Sequence, residues 1–397
     1  MNRTLIFPVL LSCLWGCASE PPAVVEPLFE QVDVFEGGVG GYFHYRVPAI
    51  VSTAKGTLIA FAEARKAERG DWGVQDIMMR RSSDGGVSWD DPRIISRVPG
   101  PIEKNPAAIA QDLGVAGEVT YNNAAPIVDR KTGALHFLFC VEYNRAFYIR
   151  SDDDGRTFSD PVEITATFER FRDEYDWMVI ATGPGHGIQL DNGRLIVPVW
   201  MSDGTAGHAH RPSIVSVIYS DDSGKTWERG EVAVRHPDLV NPSETLAIEL
   251  KDGRVALNIR HESLEHRRAI SISDDGATGW SEPEFHDQLL EPVCMASLVR
   301  HPDGAMVFVN PHSFEPLEGR VNHKRQNVSV KISDDDGKTW PTSRTIEPGI
   351  SGYSDLTVGP DGTIYCIYER GSPTGIGFTV KFLTVARFNL DWARAED

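Results

Sequence analysis

The sequence is poor in cysteine and in positive charge. Its 397 residues include five cysteines, none in a Cys-x-x-Cys pattern, so it carries no recognisable zinc-binding motif or disulfide framework. The 39 lysines and arginines are outnumbered by 57 aspartates and glutamates, and the formal net charge is −18. This balance argues against nucleic acid and anionic membrane surfaces as partners. Any anionic ligand would therefore need a local cluster of arginines.

Long apolar runs are also scarce, with one short exception near the N-terminus. Residues 5–15 are mostly apolar, follow the positive charge of Arg3 and are too short to span a membrane, which is typical of an export signal over residues 1–17. The signal ends in Leu-Trp-Gly-Cys at Cys17, which resembles a bacterial lipobox, although Leu-Leu-Ser-Cys at Cys13 is a competing match. We therefore expect an exported protein, either lipid-anchored to the cell envelope through Cys17 or plainly secreted.

The rest of the chain predicts a tether followed by one domain. Residues 18–27 are polar and proline-rich, as a flexible tether would be. Residues 28–397 contain no helical run long enough to interrupt a β pattern and no sign of a second domain. Cys140 and Cys366 lie in apolar runs and are expected to be small buried residues. A monomer is the default expectation.

One eight-residue motif, Ser-x-Asp-x-Gly-x-Ser/Thr-Trp/Phe, recurs along the chain. Clear copies begin at Ser82, Ser151, Ser220 and Ser333, and a degenerate copy begins at Ser273. Each copy follows a run of β-forming residues, so each marks a turn between two strands. The aspartate can accept hydrogen bonds from turn amides, the glycine can adopt a positive φ, and the aromatic residue can pack between sheets.

A second repeat alternates with the first. Glycine-containing turns between apolar β runs occur at Gly56, Gly133, Gly193, Gly253, Gly304 and Gly362. Each is typical of a hairpin, and five of the hairpins are followed by a copy of the eight-residue motif, so the repeating unit has four strands. Such units are propeller blades, and the sequence predicts an all-β, six-bladed β-propeller with four antiparallel strands per blade. The last blade lacks the motif, and its outer strand is expected to come from Leu28 to Phe35.

This topology puts both kinds of turn on one face of the disc and the remaining loops on the other. A functional site is expected on the second face near the axis, where those loops converge. Eight polar side chains fall at strand ends or connections on that face. They are Arg46, Arg65, Asp71, Glu244, Arg260, Arg325, Tyr353 and Glu369. Surface charges placed at random would be divided between the two faces.

The repeats and these residues together resemble the exo-sialidase (neuraminidase) family of bacteria and animals, glycoside hydrolase family 33-like, in which the eight-residue motif is the Asp-box or BNR repeat. The resemblance covers roughly residues 29–390. Tyr-Arg-Val-Pro-Ala-Ile around Arg46 looks like the family's Arg-Ile-Pro element, and residues 183–198 are also similar. Asp-boxes alone occur in non-enzymatic propellers, so the ordered arginines, acids and tyrosine carry the resemblance.

The resemblance implies a carboxylate-binding group of arginines. Sialic acid carries a carboxylate on its anomeric carbon, and planar guanidinium groups can form paired hydrogen bonds with it. Arg46, Arg260 and Arg325 would form this triad. Three adjacent cations repel one another, and Glu369 is matched to Arg46 as its acidic partner. Arg65 would contact substituents of the sugar ring.

The resemblance also implies the catalytic roles. Tyr353 would be the nucleophile, since a neutral phenol avoids the repulsion that a carboxylate would meet near an anionic carbon; sialidases are an established exception among glycosidases in this respect. A free phenol has a pKa of about 10 and needs a base, which Glu244 would supply. Asp71 would protonate the leaving oxygen and later activate water. The implied outcome is retention of configuration, without a cofactor or a metal ion.

Some of these assignments have alternatives. Asp71 could be an exposed turn carboxylate, and Asp76 is the nearest competitor for the acid role or a further substrate contact. Arg320 competes with Arg325, because the local basic run around Arg325 could simply be solvated. Tyr353 could be a packing aromatic at the start of a strand.

Two histidine-containing segments are interpreted as structural. The His-Ala-His-Arg-Pro run at residues 208–212 lacks a partner motif and is better explained as a loop than as a metal site. His186 is interpreted as a loop-packing residue. The sequence thus predicts an exo-α-sialidase acting on terminal sialic acids of glycoproteins, glycolipids or oligosaccharides. The alternatives are a trans-sialidase, a hydrolase of another nonulosonic acid, or a non-catalytic Asp-box propeller that binds glycans.

Overall fold

The structure is a computed structural model that describes residues 1, 26–68, 70–319, 321–375 and 378–395. The expected export signal and most of the tether lie outside the described residues. The described chain forms 25 strands and three five-residue helices. The strands are β1 (Phe29–Glu36), β2 (His44–Ser52), β3 (Leu58–Arg65), β4 (Gln75–Ser82), β5 (Arg93–Ile94), β6 (Tyr121–Val128), β7 (Leu135–Val141), β8 (Arg145–Ser151), β9 (Val162–Glu163), β10 (Val179–Thr182), β11 (Ile188–Gln189), β12 (Leu195–Ser202), β13 (Ser213–Ser220), β14 (Glu228–Arg229), β15 (Val234–Arg235), β16 (Thr245–Glu249), β17 (Val255–Ile259), β18 (Arg267–Ser273), β19 (Glu284–Leu290), β20 (Ser297–Arg300), β21 (Met306–Pro311), β22 (Gln326–Ser333), β23 (Thr342–Val358), β24 (Ile364–Arg370) and β25 (Phe382–Phe388). The helices are α1 (Pro106–Ala110), α2 (Thr165–Glu169) and α3 (Leu390–Arg394).

Four sheets have the four-strand order of a propeller blade. They are β2-β3-β4-β5, β6-β7-β8-β9, β10-β12-β13-β14 and β16-β17-β18-β19. The first strands of successive sheets lie next to one another: β2 contacts β6 and β23, β6 contacts β10, β16 contacts β20, and β20 contacts β23. The arrangement is therefore all-β and propeller-like, as expected from the repeats.

The fifth sheet departs from the expected six separate blades. It has seven strands in the order β1-β25-β24-β23-β22-β21-β20. The 17-residue strand β23 pairs with β22 through residues 342–350 and with β24 through residues 351–358. One continuous strand thus ends one four-stranded unit and begins the next. Where six blades were expected, the described chain forms four separate blades and one seven-stranded sheet.

The N-terminal strand completes this seven-stranded sheet. β1 pairs antiparallel with β25, from Phe29 opposite Phe388 to Glu36 opposite Phe382. The expectation that residues 28–35 supply an outer strand beside the C-terminal strand is confirmed. The first and last strands of the described chain are thereby held together in one sheet.

The two kinds of repeated turn have the expected geometry. All six glycines of the hairpin turns adopt a positive φ, between 74° and 103°. In the Asp-box at Ser151, the Asp153 carboxylate accepts hydrogen bonds from Thr157 N at 2.8 Å and Thr157 Oγ1 at 2.7 Å, while Gly155 N donates to Ser151 Oγ at 2.9 Å. The motif is thus a self-contained hydrogen-bonded turn.

The apolar core fills the spaces between adjacent sheets. Ile59 and Phe61 of β3, for example, belong to the same buried cluster as Phe137 of β7 and Phe147 of β8. Cys140, Cys294 and Cys366 are free and buried, which confirms the expectation for the two cysteines in apolar runs. Within the described ranges, no helix has the length and apolar character needed to cross a bilayer.

Candidate active site

One cavity of about 410 Å³ collects most of the polar residues singled out in the sequence. Seven of them line it: Arg46, Arg65, Asp71, Glu244, Arg260, Arg325 and Tyr353. They come from β2, the end of β3, the β3–β4 connection, the segments before β16 and after β17, the segment before β22, and β23. Residues spread over more than 300 positions of the sequence therefore meet in one place, on the face that the topology predicted.

Tyr353 and Glu244 are in direct contact. The Tyr353 hydroxyl donates a hydrogen bond to Glu244 Oε1 at 2.5 Å and accepts one from Arg260 Nη1 at 2.7 Å. Arg260 also forms an ion pair with Glu244. Burial raises the pKa of the Tyr353 phenol above its usual value, although Arg260 opposes this shift. The phenol is thus protonated in the free protein, with its proton already directed at a carboxylate.

Three guanidinium groups surround the Tyr353 ring. Their Cζ atoms lie 5.4 Å (Arg46), 5.9 Å (Arg260) and 4.9 Å (Arg325) from the ring centroid. The Nε atoms of Arg260 and Arg325 are buried and have no hydrogen-bond partner among the described residues. This grouping is suited to an anion, because guanidinium groups can fork onto a carboxylate.

Glu369 lies behind the arginines and does not line the cavity. It accepts hydrogen bonds from Arg46 Nε at 2.9 Å and Arg46 Nη2 at 3.2 Å, and its side chain is 2% exposed. It also accepts from the backbone amides of Val47 at 3.2 Å and Tyr353 at 3.1 Å. One carboxylate therefore orients an arginine and the backbone of the tyrosine together.

Two valines next to Arg46 and Arg325 have unusual backbone conformations. Val47 has a φ of 49° and Val293 a φ of 61°, in the left-handed region that β-branched residues rarely adopt. Val47 lies in a register shift of β2 directly after Arg46, and the carbonyl oxygen of Val293 accepts a hydrogen bond from Arg325 Nη2 at 2.8 Å. Backbone strain of this kind is concentrated at functional sites. Here the strain occurs at Val47, which follows Arg46, and at Val293, whose carbonyl oxygen binds Arg325.

Asp71 faces the cavity and is paired with Arg65. Arg65 Nη1 donates to Asp71 Oδ1 at 2.7 Å, and 43% of the Asp71 side chain is exposed. Partial burial alone would raise the pKa of Asp71, but Arg65, His210 and Arg46 together hold it well below its usual range. Arg65 is in turn held by the buried acid Glu63, whose Oε2 accepts a hydrogen bond from Arg65 Nη2 at 2.5 Å. Glu63 was not among the residues predicted from the sequence.

Asp76 does not line the cavity. Its carboxylate accepts hydrogen bonds from the Tyr42 hydroxyl at 2.5 Å and from Arg97 Nη1 at 2.6 Å. Asp76 is paired with Ala64 across β3 and β4, whereas Arg65 is paired with Gln75. Because successive side chains alternate between the faces of a sheet, Asp76 lies on the opposite face from Arg65, and its proposed role in the site is not supported. The competing Arg320 lies outside the described residues.

One wall of the cavity is aromatic and was not predicted. It contains Tyr143, Trp200, His208 and His210, and Trp72 packs behind His210 with ring centroids 5.5 Å apart. The loop interpretation of residues 208–212 is confirmed, but its two histidines and Arg211 line the cavity. Burial lowers the pKa of His210 to about 4, so its ring is neutral at pH 7. From the sequence, a place in the cavity could be inferred for His208, His210 and Arg211 only because their loop connects two strands on the face where the site was expected.

His186 lies below the site as a structural link. Its Nδ1 is 2.7 Å from Asp355 Oδ1, which also accepts from Ser297 Oγ at 2.8 Å, while Asp355 Oδ2 accepts from Ile50 N at 2.9 Å. Asp355 is fully buried and lies two residues after Tyr353 on β23. The strand of Tyr353 is thus tied to β2, to β20 and to the segment before β11. This is the packing role expected of His186.

The arrangement can bind an anion and supply both a nucleophile and a proton donor. Three arginines surround a tyrosine ring whose hydroxyl is hydrogen-bonded to a carboxylate, and a second carboxylate faces the same cavity. Such a set fits substitution at a carbon atom that bears a carboxylate. Over the part of the chain that is described, no three His, Cys, Asp or Glu residues are grouped as a metal site.

Sequence comparisons relate the chain to known proteins. The family model described as "BNR repeat-like domain" matches residues 113–366. The sialidase of Micromonospora viridifaciens is 29% identical over 98% of this chain and 59% of its own length. The sialidase of Bacteroides fragilis is 29% identical over 82% of this chain and 60% of its own length, and bovine sialidase-3 is 29% identical over 87% and 89%.

Solved structures show the same fold. The Hadza microbial sialidase Hz136 is 26% identical, with a TM-score of 0.72 over 91% of this chain and 68% of that one. The intramolecular trans-sialidase from Ruminococcus gnavus superposes with a TM-score of 0.70 at 18% identity, over 92% of this chain and 98% of that one. The chain spans about 60% of the length of the two bacterial sialidases above. The repeats, the ordered site residues and these similarities together place the chain in the sialidase family with BNR repeats.

Proposed function

We propose that the protein is an exo-α-sialidase that releases terminal sialic acids from glycoproteins, glycolipids or oligosaccharides. The single observation that carries this proposal is the contact of Tyr353 with Glu244 inside a group of three arginines. A non-catalytic glycan-binding propeller has no need for a buried phenol hydrogen-bonded to a carboxylate. The relatives named as sialidases support the same reaction class.

In the first step, the substrate carboxylate binds to Arg46, Arg260 and Arg325, which places the anomeric carbon above Tyr353. The Tyr353 oxygen forms a bond to that carbon while its proton passes to Glu244. Arg260 contacts both groups and stabilises the negative charge that develops on the phenol oxygen. The glycosidic bond breaks, and the leaving oxygen takes a proton from Asp71.

In the second step, Asp71 acts as a base. It removes a proton from a water molecule, whose oxygen attacks the anomeric carbon as the bond to Tyr353 breaks, and the phenol oxygen recovers its proton from Glu244. Two inversions give net retention of configuration. Because the pKa of Asp71 is lowered in the free protein, it has to rise when substrate binds if Asp71 is to act as an acid. The substrate carboxylate raises this pKa by neutralising nearby positive charge.

We also infer that the seven-stranded sheet corresponds to two blades, so that the ring has six. β20, β21, β22 and residues 342–350 form one antiparallel unit of four. Residues 351–358, β24, β25 and β1 form another. Both units have the strand order of the four separate blades.

The proposed activity is tested by hydrolysis of a fluorogenic α-sialoside by the protein without residues 1–17. We expect release of the fluorophore by the wild-type protein, and a loss on the order of 10³-fold or more in Tyr353→Phe, which keeps the ring but removes the nucleophile. A wild-type protein inactive on several nonulosonic acids would overturn the hydrolase proposal. Undiminished release by Tyr353→Phe would overturn the assignment of the nucleophile.

Transfer to a sugar hydroxyl is a second candidate, because trans-sialidases share this fold. Transfer and hydrolysis differ only in the nucleophile of the second step. Product analysis with 3′-sialyllactose, with and without added lactose as acceptor, separates them. Free sialic acid as the main product supports hydrolysis, whereas a 2,7-anhydro product or sialylated acceptor supports transfer.

We further propose that the protein is exported and held at the cell envelope by a lipid on Cys17, and that it acts as a monomer. Cys17→Ser should abolish globomycin-sensitive processing and release the protein from the membrane fraction. Processing that is unchanged in this variant would favour plain secretion.

A further inference from the structure

Two buried residues of opposite charge lie directly behind the loop that carries Asp71. Lys104 precedes α1 in the long connection between β5 and β6, and Glu142 follows β7. Their side chains are 2% and 0% exposed, and Lys104 Nζ lies 3.2 Å from Glu142 Oε1. Neither residue lines the cavity, so neither has a chemical role in the proposed reaction.

The Lys104 ammonium group holds the backbone that follows Asp71. It donates one hydrogen bond to the carbonyl oxygen of Trp72 and another to Thr120 Oγ1, the latter at 3.1 Å. The Thr120 hydroxyl in turn donates to the carbonyl oxygen of Gly73 at 2.7 Å. The carbonyl groups of the two residues after Asp71 are thus fixed by one buried cation and one hydroxyl.

Glu142 connects this cation to the aromatic wall. Its Oε1 accepts a hydrogen bond from Thr120 N at 2.6 Å. Glu142 and the next residue, Tyr143, both have a positive φ, 57° and 53°, so the turn that presents the Tyr143 ring is sharply bent. That ring packs on Trp72 with centroids 4.5 Å apart. The charged pair therefore links the Asp71 loop and the facing wall.

The segment that contains Gly114 packs closely against Lys104 and the Trp72 carbonyl group. A Cβ atom on Gly114 would lie 2.4 Å from Lys104 Cε and 3.0 Å from the carbonyl oxygen of Trp72. Alanine at this position would therefore displace the ammonium group or the carbonyl without changing any charge. This offers a second, independent way to disturb the same contact.

A buried ion pair contributes little to folding stability, since the cost of desolvating two charges offsets much or all of their attraction. Apolar residues of similar volume often stabilise a fold equally well. In this chain the contacts of the pair converge on the backbone next to Asp71. We propose that Lys104 and Glu142 are positioning residues, which hold the Asp71 carboxyl at the distance needed to protonate the leaving oxygen.

This inference rests on the proposed role of Asp71, and its test depends on the leaving group. An aryl sialoside releases a weakly basic phenolate that departs with little protonation, whereas sialyllactose releases a sugar alkoxide that must be protonated. The later role of Asp71 as a base does not enter kcat/KM, which covers only the steps up to formation of the Tyr353 intermediate. A displaced acid should therefore lower kcat/KM only for the second substrate. General loss of structure would impair both.

The test compares kcat/KM for the two substrates in Lys104→Met/Glu142→Gln, which removes both charges together. We expect a loss of about 10- to 100-fold for sialyllactose and of less than about threefold for the aryl sialoside. Gly114→Ala should show the same selective loss, and provides the result if the double variant does not fold in a thermal unfolding assay. The matched control is Arg145→Met/Glu163→Gln, an ion pair whose side chains are 31% and 41% exposed, which should change neither rate.

The outcomes distinguish failure of the positioning role from failure of the proposed function. Equal losses for both substrates, or no loss for sialyllactose in folded variants, would overturn the positioning role. A wild-type protein that cleaves neither substrate would overturn the proposed function itself.

Discussion

Of the four cavity arginines that the sequence singled out, three are held in place by acidic partners. Glu369 binds Arg46, Glu63 binds Arg65 and Glu244 binds Arg260, while Arg325 is held by a backbone carbonyl oxygen. Fixed guanidinium groups lose little conformational freedom when an anion binds, so the site is preorganised for a carboxylate. The arginines and Glu369 could be predicted because each falls at a strand end on one face.

Other residues of the site could not be predicted, for identifiable physical reasons. Glu63 and Glu142 are acids within or next to β strands, where the sequence pattern does not reveal which buried group they meet. Lys104 acts across three segments, and only the folded chain brings its ammonium group to the Trp72 carbonyl. Asp76 was misplaced because one step along a strand moves a side chain to the other face of the sheet.

The position of Arg65 predicts a specific pH dependence. Since Arg65 lowers the pKa of Asp71 in the free protein, kcat/KM should begin to fall in the acid range, as pH rises above this lowered pKa and the protonated acid is lost. In Arg65→Gln/Glu63→Gln, which removes a buried cation with its buried counterion, the pKa of Asp71 should rise. The alkaline limb of the kcat/KM profile on sialyllactose should then move to higher pH, even if the maximum is lower. An unmoved limb would show that another group controls it.

At the scale of structural elements, the Asp-box turns and glycine hairpins were predictable because their geometry is local. The fusion of two sheets through β23 was not. Pro348 and Gly349 in the middle of that strand are typical turn residues, and Gly349 has a φ of 79°. The strand nevertheless continues, since Glu347 and Ile350 on either side of this point both pair with β22, and pairing with β24 begins at Ser351. Tertiary pairing overrides the local turn signal.

The Asp-box turns predict acid sensitivity. Hydrogen bonds from Thr339 lower the pKa of Asp335 from 3.8 to about 2, and hydrogen bonds from Ser88 lower that of Asp84 to about 2. A carboxyl whose pKa is lowered on folding stabilises the fold above its unfolded pKa and ceases to do so as pH falls through its folded pKa. The thermal unfolding midpoint should therefore decrease as the pH is lowered from about 4 to about 2.

The variant Asp335→Asn isolates the contribution of one turn. Its midpoint should be lower than that of the wild type at pH 7, and the difference should shrink as the pH approaches 2, where the wild-type carboxyl becomes protonated. Scanning calorimetry across this range measures both quantities. A constant difference at all pH values would contradict the account.

At the scale of the whole molecule, the pairing of the first and last described strands closes the structure. β1 pairs with β25 along its whole length, and Thr384 Oγ1 donates a hydrogen bond to Asp33 Oδ1 at 2.6 Å. β1 thereby covers the hydrogen-bonding edge of β25 and becomes the outer strand of the sheet; an uncovered β25 edge would invite aggregation. The pairing was predictable because the last unit lacked one strand and the N-terminal segment had a β pattern.

Deletion of residues 1–36 should therefore do more damage than deletion of residues 1–25. The longer deletion exposes the edge of β25, and we expect a lower unfolding midpoint and increased aggregation in light scattering. The shorter deletion leaves β1 intact and serves as the control. Equal midpoints for the two proteins would show that β1 adds nothing to the stability of the ring.

The mass of a trapped intermediate would show directly whether Tyr353 attacks the sugar. A sialosyl fluoride with a second fluorine at C3 forms the glycosyl–protein bond without needing an acid, and the neighbouring fluorine slows its hydrolysis. After a short incubation, intact mass spectrometry should show the addition of one fluorinated sugar acid, and peptide mapping should place it on Tyr353, with no adduct in Tyr353→Phe. An adduct on Glu244 or Asp71 instead, or an active protein that never acquires one, would contradict the account.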